Sequence, residues 1–230
     1  MSPTREQKRG EQRERILEAA RGLFAARGLD AVTMAEVAAQ AGVARATVFN
    51  YFPSKHALVE AMTETVFGYF RALIEAVLAD EKTSTPTLVR ALFSHMGGGI
   101  EHYHRFYRGI FREIVRIQVG LDEGGAAHRA RGAAIGRLEE FLARGQRRGE
   151  LRRESSPGDL ARAFDSLSNG TVIHWLYDDD ASSLRDRMER AAEIFLGPVV
   201  SAEADLGEPV PEFEPLPFDP AAGAEPVEPD

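Results

Sequence analysis

Apolar residues recur every three or four positions through most of this chain, and this spacing predicts amphipathic helices. One apolar stripe runs from residue 11 to residue 27, and Gly28 follows it as a helix-ending signal. A longer stripe runs from residue 54 to about residue 79. No segment shows the strict alternation of apolar and polar residues that is typical of a strand. The pattern therefore predicts an all-α protein.

Turn and cap signals divide the rest of the chain, up to about residue 196, into further helices. Serine or threonine followed by proline predicts a helix start, because proline is tolerated in the first turn. Glycine pairs and triplets predict ends or breaks. With the helix from residue 54, these signals predict about six helices. We expect helix starts at Thr85-Pro86, after Gly124-Gly125, at Ser156-Pro157 and at Ser182 or Ser183, a break or loosening at Gly97-Gly98-Gly99, aromatic-rich helix from Ile100 to about Leu121, and an end between Gly145 and Gly149.

Two short helices joined by a tight turn are predicted over residues 32–55. Thr33 is followed three residues later by Glu36, which is the spacing of a capping box. Gly42 supplies the turn, because a left-handed backbone is low in energy only for glycine. Apolar residues give the second helix a buried side, and Pro53 ends it. This arrangement is typical of the helix-turn-helix that enters the DNA major groove.

Polar side chains on the outward side of the second helix have the chemistry of DNA contacts. Arg45 can bond a guanine edge through two hydrogen bonds, and Asn50 can do the same with adenine. The hydroxyls of Thr47 and Tyr51 suit phosphate oxygens, and Lys55 at the start of the next helix also suits a phosphate. The alternative is an ordinary helical hairpin with a polar, solvated face.

The same segment resembles the TetR family of one-component regulators over about the first sixty residues. It follows the pattern T-x-x-x-x-A-x-x-A-G-V-x-x-x-T-x-F-x-Y-F-x-x-K, which begins at Thr33. The resemblance implies a three-helix DNA-binding head with residues 45–51 on the recognition helix. Many family members have tyrosine where this chain has Phe49, so we expect Phe49 to serve packing only. The DNA-binding residues expected from chemistry and resemblance together are Thr33, Arg45, Ala46, Thr47, Asn50, Tyr51 and Lys55.

The formal net charge of −8 becomes informative when it is divided along the chain. Residues 1–56 hold nine Lys and Arg against six Asp and Glu, a balance of +3. Residues 201–230 hold nine Asp and Glu and no Lys or Arg, and the middle of the chain is close to neutral. Only the segment that carries the DNA motif has the positive balance that phosphate binding requires.

Composition also sets the expected organisation of the chain into four segments. Residues 1–10 are polar and are expected to be a flexible arm, with a basic contact to DNA as the alternative. Residues 11–56 should form the helix-turn-helix domain. Residues 57–200 should form a larger helical body for ligand binding and dimerisation, as the resemblance implies. Residues 201–230 are rich in Pro, Glu and Ala, which predicts a disordered acidic tail.

Several protein classes are excluded or disfavoured by what the sequence lacks. The absence of Cys excludes disulfides and thiolate metal sites, and it fits a cytoplasmic protein. The chain has neither a signal-peptide core nor a run of about 18 apolar residues, so no membrane partner is expected. His95 and His102 can share a helix face, but without a carboxylate pair we expect no metal site and no cofactor. No phosphate-loop, dinucleotide or hydrolase motif is present, which leaves an all-helical enzyme as a remote alternative.

Aromatic residues gather in the predicted body. Tyr103, Phe106 and Tyr107 share one helical face. The simpler interpretation is a helix core. The functional interpretation is the wall of an apolar ligand cavity with a few orienting hydroxyl and imidazole groups, His95 among the latter, to which the long helix and a late tryptophan also contribute. The ligand-binding residues predicted on this interpretation are Phe67, Phe70, Tyr103, Phe106, Tyr107 and Trp175.

The last two predicted helices carry small and apolar residues that can serve either the core of the chain or a dimer interface. The resemblance implies the interface, formed between two copies. A two-fold dimer also doubles the contacts of one short recognition helix on a palindromic site. The sequence therefore predicts a TetR-like homodimer that binds double-stranded DNA. It would act as a repressor that a small apolar effector releases from its operator. The alternatives are a ligand-independent DNA-binding regulator and an activator.

Overall fold

The computed structural model describes residues 4–102, 104–118, 124–178 and 182–201, together with residue 211. Over this part of the chain the structure consists of nine helices, with one isolated antiparallel bridge between Leu151 and Val200. The predicted all-α fold is confirmed. The helices are α1 (Arg5–Arg27), α2 (Met34–Gln40), α3 (Arg45–Tyr51), α4 (Lys55–Ala79), α5 (Thr85–His102), α6 (His104–Gln118), α7 (Ala126–Arg147), α8 (Pro157–Tyr177) and α9 (Leu184–Leu196).

Contacts between residues divide the chain into two compact units. Of the described residues, unit 1 contains 4–65, 104–118 and 124–128, and unit 2 contains the remainder. The helix α4 begins in unit 1 and continues into unit 2. Unit 1 therefore includes α6 as well as the N-terminal head, whereas the sequence predicted contiguous domains over 11–56 and 57–200. The reason is that α6 packs against α1.

The first helix begins earlier than the sequence predicted. Residues 5–10, which were expected to belong to a flexible arm, form the first turns of α1. A second capping box explains this start. The Thr4 hydroxyl accepts from the backbone N–H of Gln7, and the Gln7 side chain accepts from the backbone N–H of Thr4 at 2.7 Å. Two otherwise unpaired amides at the helix end are thereby satisfied.

The core of unit 1 is built from the three N-terminal helices. Their inward sides carry apolar side chains that are almost fully removed from solvent. Burial of an aliphatic or aromatic side chain stabilises the fold by about 1.5–3 kcal/mol, so this cluster is the main source of stability for the head. The buried residues are Ile16, Leu17, Ala20 and Phe24 of α1, Val37 and Ala38 of α2, and Val48 of α3.

In unit 2, α5 packs along α9. The break or loosening that was predicted at the triplet of glycines is not observed, because α5 continues through it. A Cβ atom built at Gly97 would lie 2.8 Å from the backbone Cα of Arg185. Any side chain there would push the two helices apart, so glycine serves close approach at this position. Two polar contacts hold the same pair of helices. Arg90 makes two hydrogen bonds to the Glu193 carboxylate at 2.6 and 3.0 Å, and Ser94 donates to Glu189 at 2.8 Å.

An aromatic cluster forms the centre of unit 2. Phe93 of α5 and Phe164 of α8 are fully buried, with ring centroids 4.5 Å apart. Phe195 of α9 meets Phe164 edge-on at 5.7 Å. Such edge-to-face pairs add about 0.5–1.5 kcal/mol beyond the burial of apolar area. The predicted starts of α8 and α9 are confirmed, because Ser156 and Ser183 cap them through their hydroxyls.

The predicted starts of α5 and α7 and the predicted end of α7 are confirmed, whereas other predictions concern residues at the edge of what the structure describes. Helix is present on both sides of Tyr103, which itself lies outside the described residues, as does the expected end near Leu121. The predicted disordered tail, residues 201–230, also lies outside them except for positions 201 and 211.

The C-terminal end of α4 is held by Arg144 of α7. Its guanidinium donates to the carbonyl oxygens of Val77 at 2.9 Å, Leu78 at 2.7 Å and Asp80 at 3.1 Å. These carbonyls belong to the last turn of the helix or follow it, where no amide of the helix remains to pair with them. A positive charge is also favourable at this end of the helix dipole.

We predict that Arg144→Ala lowers the free energy of unfolding by about 1.5–3 kcal/mol, because it removes charge-assisted hydrogen bonds from these carbonyls. Urea unfolding followed by circular dichroism measures this loss. Arg162→Ala is the control, since Arg162 pairs with Asp159 on an exposed part of α8 and should change stability by less than about 0.5 kcal/mol. Equal effects of the two substitutions would contradict the capping role.

Candidate nucleic-acid interface and effector site

The start of α2 is fixed by the predicted capping box. The backbone N–H of Glu36 donates to the Thr33 hydroxyl at 3.3 Å, and the backbone N–H of Thr33 donates to the Glu36 carboxylate at 2.7 Å. Arg27 at the end of α1 donates to the other carboxylate oxygen at 2.8 Å. Glu36 therefore links the end of α1 to the start of α2. The hydrogen bond from the Thr33 hydroxyl, followed by that from Arg27, lowers the pKa of Glu36 to about 2.

The turn between α2 and α3 has the geometry that the sequence predicted. Gly42 has φ of 63°, in the left-handed region. The N–H of Val43 donates to the carbonyl of Ala38 at 3.0 Å, and the N–H of Gly42 donates to that of Ala39 at 3.1 Å. This is the pairing of a glycine-ended helix. It determines the direction in which the chain enters α3.

The two sides of α3 are clearly different. Val48 is fully buried and Phe52, directly after the helix, is 3% exposed. With 100° between successive residues, Ala46 and Asn50 then lie farthest from the core. One edge of this outward face is formed by Arg45 and Phe49, and the other by Thr47 and Tyr51. Arg45, Ala46, Phe49 and Asn50 are exposed, while Thr47 and Tyr51 are half-buried.

The expectation that Phe49 serves packing only is wrong. Its ring is 38% exposed, and the Arg45 guanidinium carbon lies 5.5 Å from the ring centroid. The reason is geometric, since Val48 and Phe52 already occupy the inward side and position 49 lies about 100° away from Val48 around the helix. The helical spacing alone places position 49 away from the core, whereas the family pattern indicates packing.

Two of the predicted phosphate contacts have partners within unit 1. The Tyr51 hydroxyl donates to the Gln12 side-chain carbonyl at 3.1 Å, and the Lys55 ammonium donates to the Leu29 carbonyl at 2.6 Å. Lysine has three donors, so this bond leaves capacity for a phosphate. A 180° turn of the Gln12 amide would present its NH₂ group to the tyrosine oxygen and release the tyrosine proton for a phosphate. Sequence analysis missed Gln12, because a partner 39 positions away leaves no local signal.

Basic residues are also exposed on the first turns of α1. Arg5, Lys8 and Arg9 are exposed and helical. They therefore have fixed positions relative to one another, whereas the predicted flexible arm would not.

Within unit 2, the predicted effector residues have different surroundings. Phe67 is buried at 7% exposure. Phe70 is half-buried and stacks on the fully buried Phe164, with 6.2 Å between ring centroids. Trp175 is half-buried and donates its indole N–H to the Ser182 carbonyl at 3.0 Å. Phe70 and Trp175 thus combine a supported aromatic ring with partial exposure, as ligand contacts require.

A tyrosine–histidine pair joins α4 to α5 within unit 2 and was not predicted. Tyr69 of α4 and His95 of α5 are half-buried, share a hydrogen bond between the phenol and Nε2, and have ring centroids 6.1 Å apart. Burial raises the pKa of Tyr69 to about 12. Burial, followed by the charge of Arg185, lowers the pKa of His95. The pair is therefore a neutral hydrogen-bonding group at neutral pH. The sequence predicted His95 as one of the imidazole groups near a ligand cavity, but it gave no signal for the pairing with Tyr69.

The other predicted effector residues belong to unit 1 or are not described. Tyr107 is 5% exposed and belongs to unit 1. Tyr103 and the side chain of Phe106 lie outside what the structure describes. The predicted aromatic wall of these three residues stays a prediction. Across the described ranges, no group of three or more His, Asp or Glu side chains is placed to hold a metal ion.

Two large apolar side chains of unit 2 are exposed to solvent. Ile194 of α9 is 67% exposed and Tyr177 at the end of α8 is 63% exposed. Small residues are also exposed on α8, among them Ala163 and Ser166. Small side chains allow two helices to approach closely. In the described part of the chain, no helix has both the length and the apolar character to cross a lipid bilayer.

Comparisons with known proteins agree with this architecture. Residues 16–62 match the family model for bacterial regulatory proteins of the tetR family. No curated protein matches the sequence. The chain is similar in structure to FadR of Thermus thermophilus, a TetR-family transcriptional repressor in complex with lauroyl-CoA, with 25% identity, coverage of 86% of this chain and 100% of that chain, and a TM-score of 0.64.

Two further solved structures have a similar fold. SmeT, the repressor of the Stenotrophomonas maltophilia multidrug efflux pump SmeDEF, is 25% identical, with coverage of 89% of this chain and 97% of that chain and a TM-score of 0.66. RolR in complex with resorcinol is 24% identical, with coverage of 91% and 100% and a TM-score of 0.65.

The capping carboxylate generates a prediction about acid stability. The pKa of Glu36 lies at about 2 in the folded protein, below the ordinary value of 4.5. The ionised carboxylate therefore stabilises the head fully above about pH 5, and this contribution is lost as the pH falls toward 2. We predict that Glu36→Gln reduces the loss of stability over this pH range.

The measurement is a carboxyl NMR titration of the wild-type protein, combined with thermal unfolding of both proteins between pH 6 and pH 3. Glu18→Gln on an exposed part of α1 is the matched control. A Glu36 carboxyl that titrates at its ordinary value would show that the capping box does not hold in solution.

Proposed function

We propose that this chain, a TetR-family transcriptional regulator, is a homodimeric repressor in the cytoplasm that binds a palindromic operator and is released by a small apolar effector. The observation that carries the proposal is the exposed face of α3 on a capped, glycine-turned helix pair. The family and the similar structures are transcriptional regulators rather than enzymes.

The base contacts proposed for α3 follow from which side chains face outward. Arg45 and Asn50 are exposed, and both can form paired hydrogen bonds with a purine edge in the major groove. Ala46 lies between them on the same face. Its methyl group is small enough to let the helix approach the base edges closely. These three residues are proposed to read the operator sequence.

The phosphate contacts proposed for the head surround this reading face. Thr47 and Tyr51 form one edge of α3, Thr33 begins α2 and Lys55 begins α4. Contacts from several helix starts hold a recognition helix in register without reading sequence. The Thr33 hydroxyl already donates to Glu36 at 2.7 Å. The Thr33 backbone N–H also donates to Glu36, so a phosphate contact from Thr33 would require one of these two hydrogen bonds to open.

Dimerisation is proposed through α8 and α9. Ile194 and Tyr177 expose large apolar surfaces there, and the exposed small residues of α8 allow close packing of a second copy. One seven-residue recognition helix offers few base contacts. Two copies related by two-fold symmetry double that number on a palindromic site.

The proposed effector is a small molecule with an apolar or aromatic body and a polar group. Support comes from Phe70 and Trp175, which are half-buried, and from the Tyr69–His95 pair, which can hydrogen-bond a polar group. Two structures similar to this chain are complexes with lauroyl-CoA and with resorcinol, ligands that combine these features. Phe67 is proposed to support this site. The aromatic wall predicted from Tyr103, Phe106 and Tyr107 stays a separate prediction, since Tyr107 belongs to unit 1.

Release requires that the effector bind more tightly to a state whose heads do not match the groove spacing. The helix α4 begins in the head and passes Phe67, Tyr69 and Phe70 before it ends in unit 2. It is thus the covalent path by which effector binding can change the position of Lys55. A ligand-independent regulator and an activator remain the alternatives, and they are distinguished by effector titration and by transcription assays.

We predict that Arg45→Ala and Asn50→Ala each weaken operator binding by about 1–3 kcal/mol, because each removes a paired contact with a base edge. The operator is first enriched from random DNA with the wild-type protein. Binding to a shuffled sequence is measured in parallel and should change much less. Unchanged operator affinity in both variants would contradict base reading by α3.

The dimer predicts a sensitivity to charge at position 194. Ile194→Glu should raise the dimer dissociation constant by about tenfold or more, because an unpaired carboxylate would be buried in the interface. Sedimentation equilibrium measures the constant. Ala133→Glu adds the same charge at an exposed position of α7 and should leave it unchanged. A monomeric wild-type protein, or an Ile194→Glu variant that dimerises normally, would refute this interface.

The effector site predicts a change in tryptophan fluorescence, because Trp175 is the single tryptophan of the chain. Compounds that alter this signal should also release operator DNA, and DNA should lower the affinity for them by the same factor. Phe70→Ala should weaken effector binding and leave DNA binding without effector unchanged. Tyr69→Phe is the matched test of the polar contact. Compounds that release DNA but bind normally to Phe70→Ala would place the effector elsewhere.

A further inference from the structure

The reading face of α3 contains one large apolar side chain, Phe49. Its ring is 38% exposed, although an aromatic side chain gains free energy when it is removed from water. The inward side of the helix is already occupied by Val48 and Phe52. The ring therefore does not contribute to the core of the head, and its exposure requires another explanation.

The neighbour of the ring is the side chain proposed to read a base. The Arg45 guanidinium carbon lies 5.5 Å from the Phe49 centroid, within the range of a cation–π interaction. The two residues are four positions apart, so they lie on the same edge of α3. Holding a flexible arginine against a ring reduces the conformational entropy that it loses when it binds DNA. Phe49 is thus placed to orient Arg45.

The exposed part of the ring is available for a second contact. In the major groove the base edges are mostly hydrogen-bonding groups, and the apolar exception is the C5 methyl group of thymine. A ring beside an arginine that bonds guanine would meet the base next to that guanine. Apolar contact with a thymine methyl group is an established mode of direct readout.

We propose that Phe49 and Arg45 read DNA as one unit, in which Arg45 bonds a guanine and Phe49 contacts the methyl group of a neighbouring thymine. This inference rests on the proposed DNA-binding function. It goes further by assigning a specificity-determining residue and the chemical group that it recognises. Phe49 also acts as a positioning residue, because it holds the Arg45 guanidinium over the groove.

The experiment uses the full chain and an operator enriched from random DNA by the wild-type protein. Each thymine in turn is replaced by deoxyuridine, which removes only the methyl group. We expect wild-type affinity to fall about fourfold at one thymine beside a guanine in each half-site, the effect of exposing about one buried methyl group. Phe49→Ala should abolish this dependence on the methyl group.

Two conservative variants separate the two roles of the ring. Phe49→Leu keeps an apolar contact for the methyl group but loses the aromatic face. It should retain the uracil effect while discrimination for the neighbouring guanine falls about threefold, as the loss of an exposed cation–π pair predicts. Phe49→Tyr keeps the face and should retain both effects. Because position 49 is exposed, all three variants should unfold at the wild-type temperature, and the comparison between leucine and tyrosine does not depend on the alanine variant.

The possible failures are distinguishable. If the wild-type protein enriches no sequence, the proposed DNA-binding function fails and this inference fails with it. If a sequence is enriched but uracil has no effect at any thymine, or has the same effect in wild type and Phe49→Ala, only the methyl contact is overturned. If Phe49→Leu discriminates guanine as well as wild type does, the positioning role is overturned.

Discussion

The burial of Val48 and Phe52 determines what the head can present to a partner. Both side chains are removed from solvent in the core of unit 1, and each would lose about 1.5–3 kcal/mol if it were exposed. A helix of seven residues has no room for two apolar sides. Once Val48 points inward, Asn50 lies about 200° away around the helix and faces solvent, while the exposed Arg45 lies at one edge of this outward face. The reading face is thus a consequence of core packing rather than an independent feature.

Hydrogen bonds at helix ends convert this burial into a defined geometry. Glu36 bonds both Thr33 and Arg27, so the end of α1 and the start of α2 share one carboxylate. Gly42 then sets the turn into α3 with a backbone that other residues adopt only with strain. The same device recurs in unit 2, where Arg144 pairs the last carbonyls of α4. The long helix between head and body is therefore anchored at its far end.

The parts of the fold that were predictable from sequence are those with local signals. The caps at Thr33, Ser156 and Ser183 depend on residues three positions apart and are confirmed. The capping box at Thr4 has the same form, with Gln7 three positions later, so this helix start was equally predictable. The persistence of α5 through its glycines was not predictable, because it depends on close contact with α9.

Contacts between distant residues were equally hidden. Tyr69 and His95 lie 26 positions apart, and Tyr51 and Gln12 lie 39 apart. No periodicity or motif connects such residues before the chain has folded. The candidate reading face was predictable because helix geometry alone orients it. The surroundings of the candidate effector residues were not predictable, since these surroundings depend on how several helices pack.

The central claim is that the outward face of α3 reads DNA as part of a two-fold dimer. Hydroxyl-radical footprinting of the protein on its enriched DNA tests this most directly. The account predicts two equivalent protected regions related by a two-fold axis, with the centres of the major-groove contacts about one helical turn or a multiple of it apart. A single protected region, or uniform weak protection that disappears with salt, would contradict it.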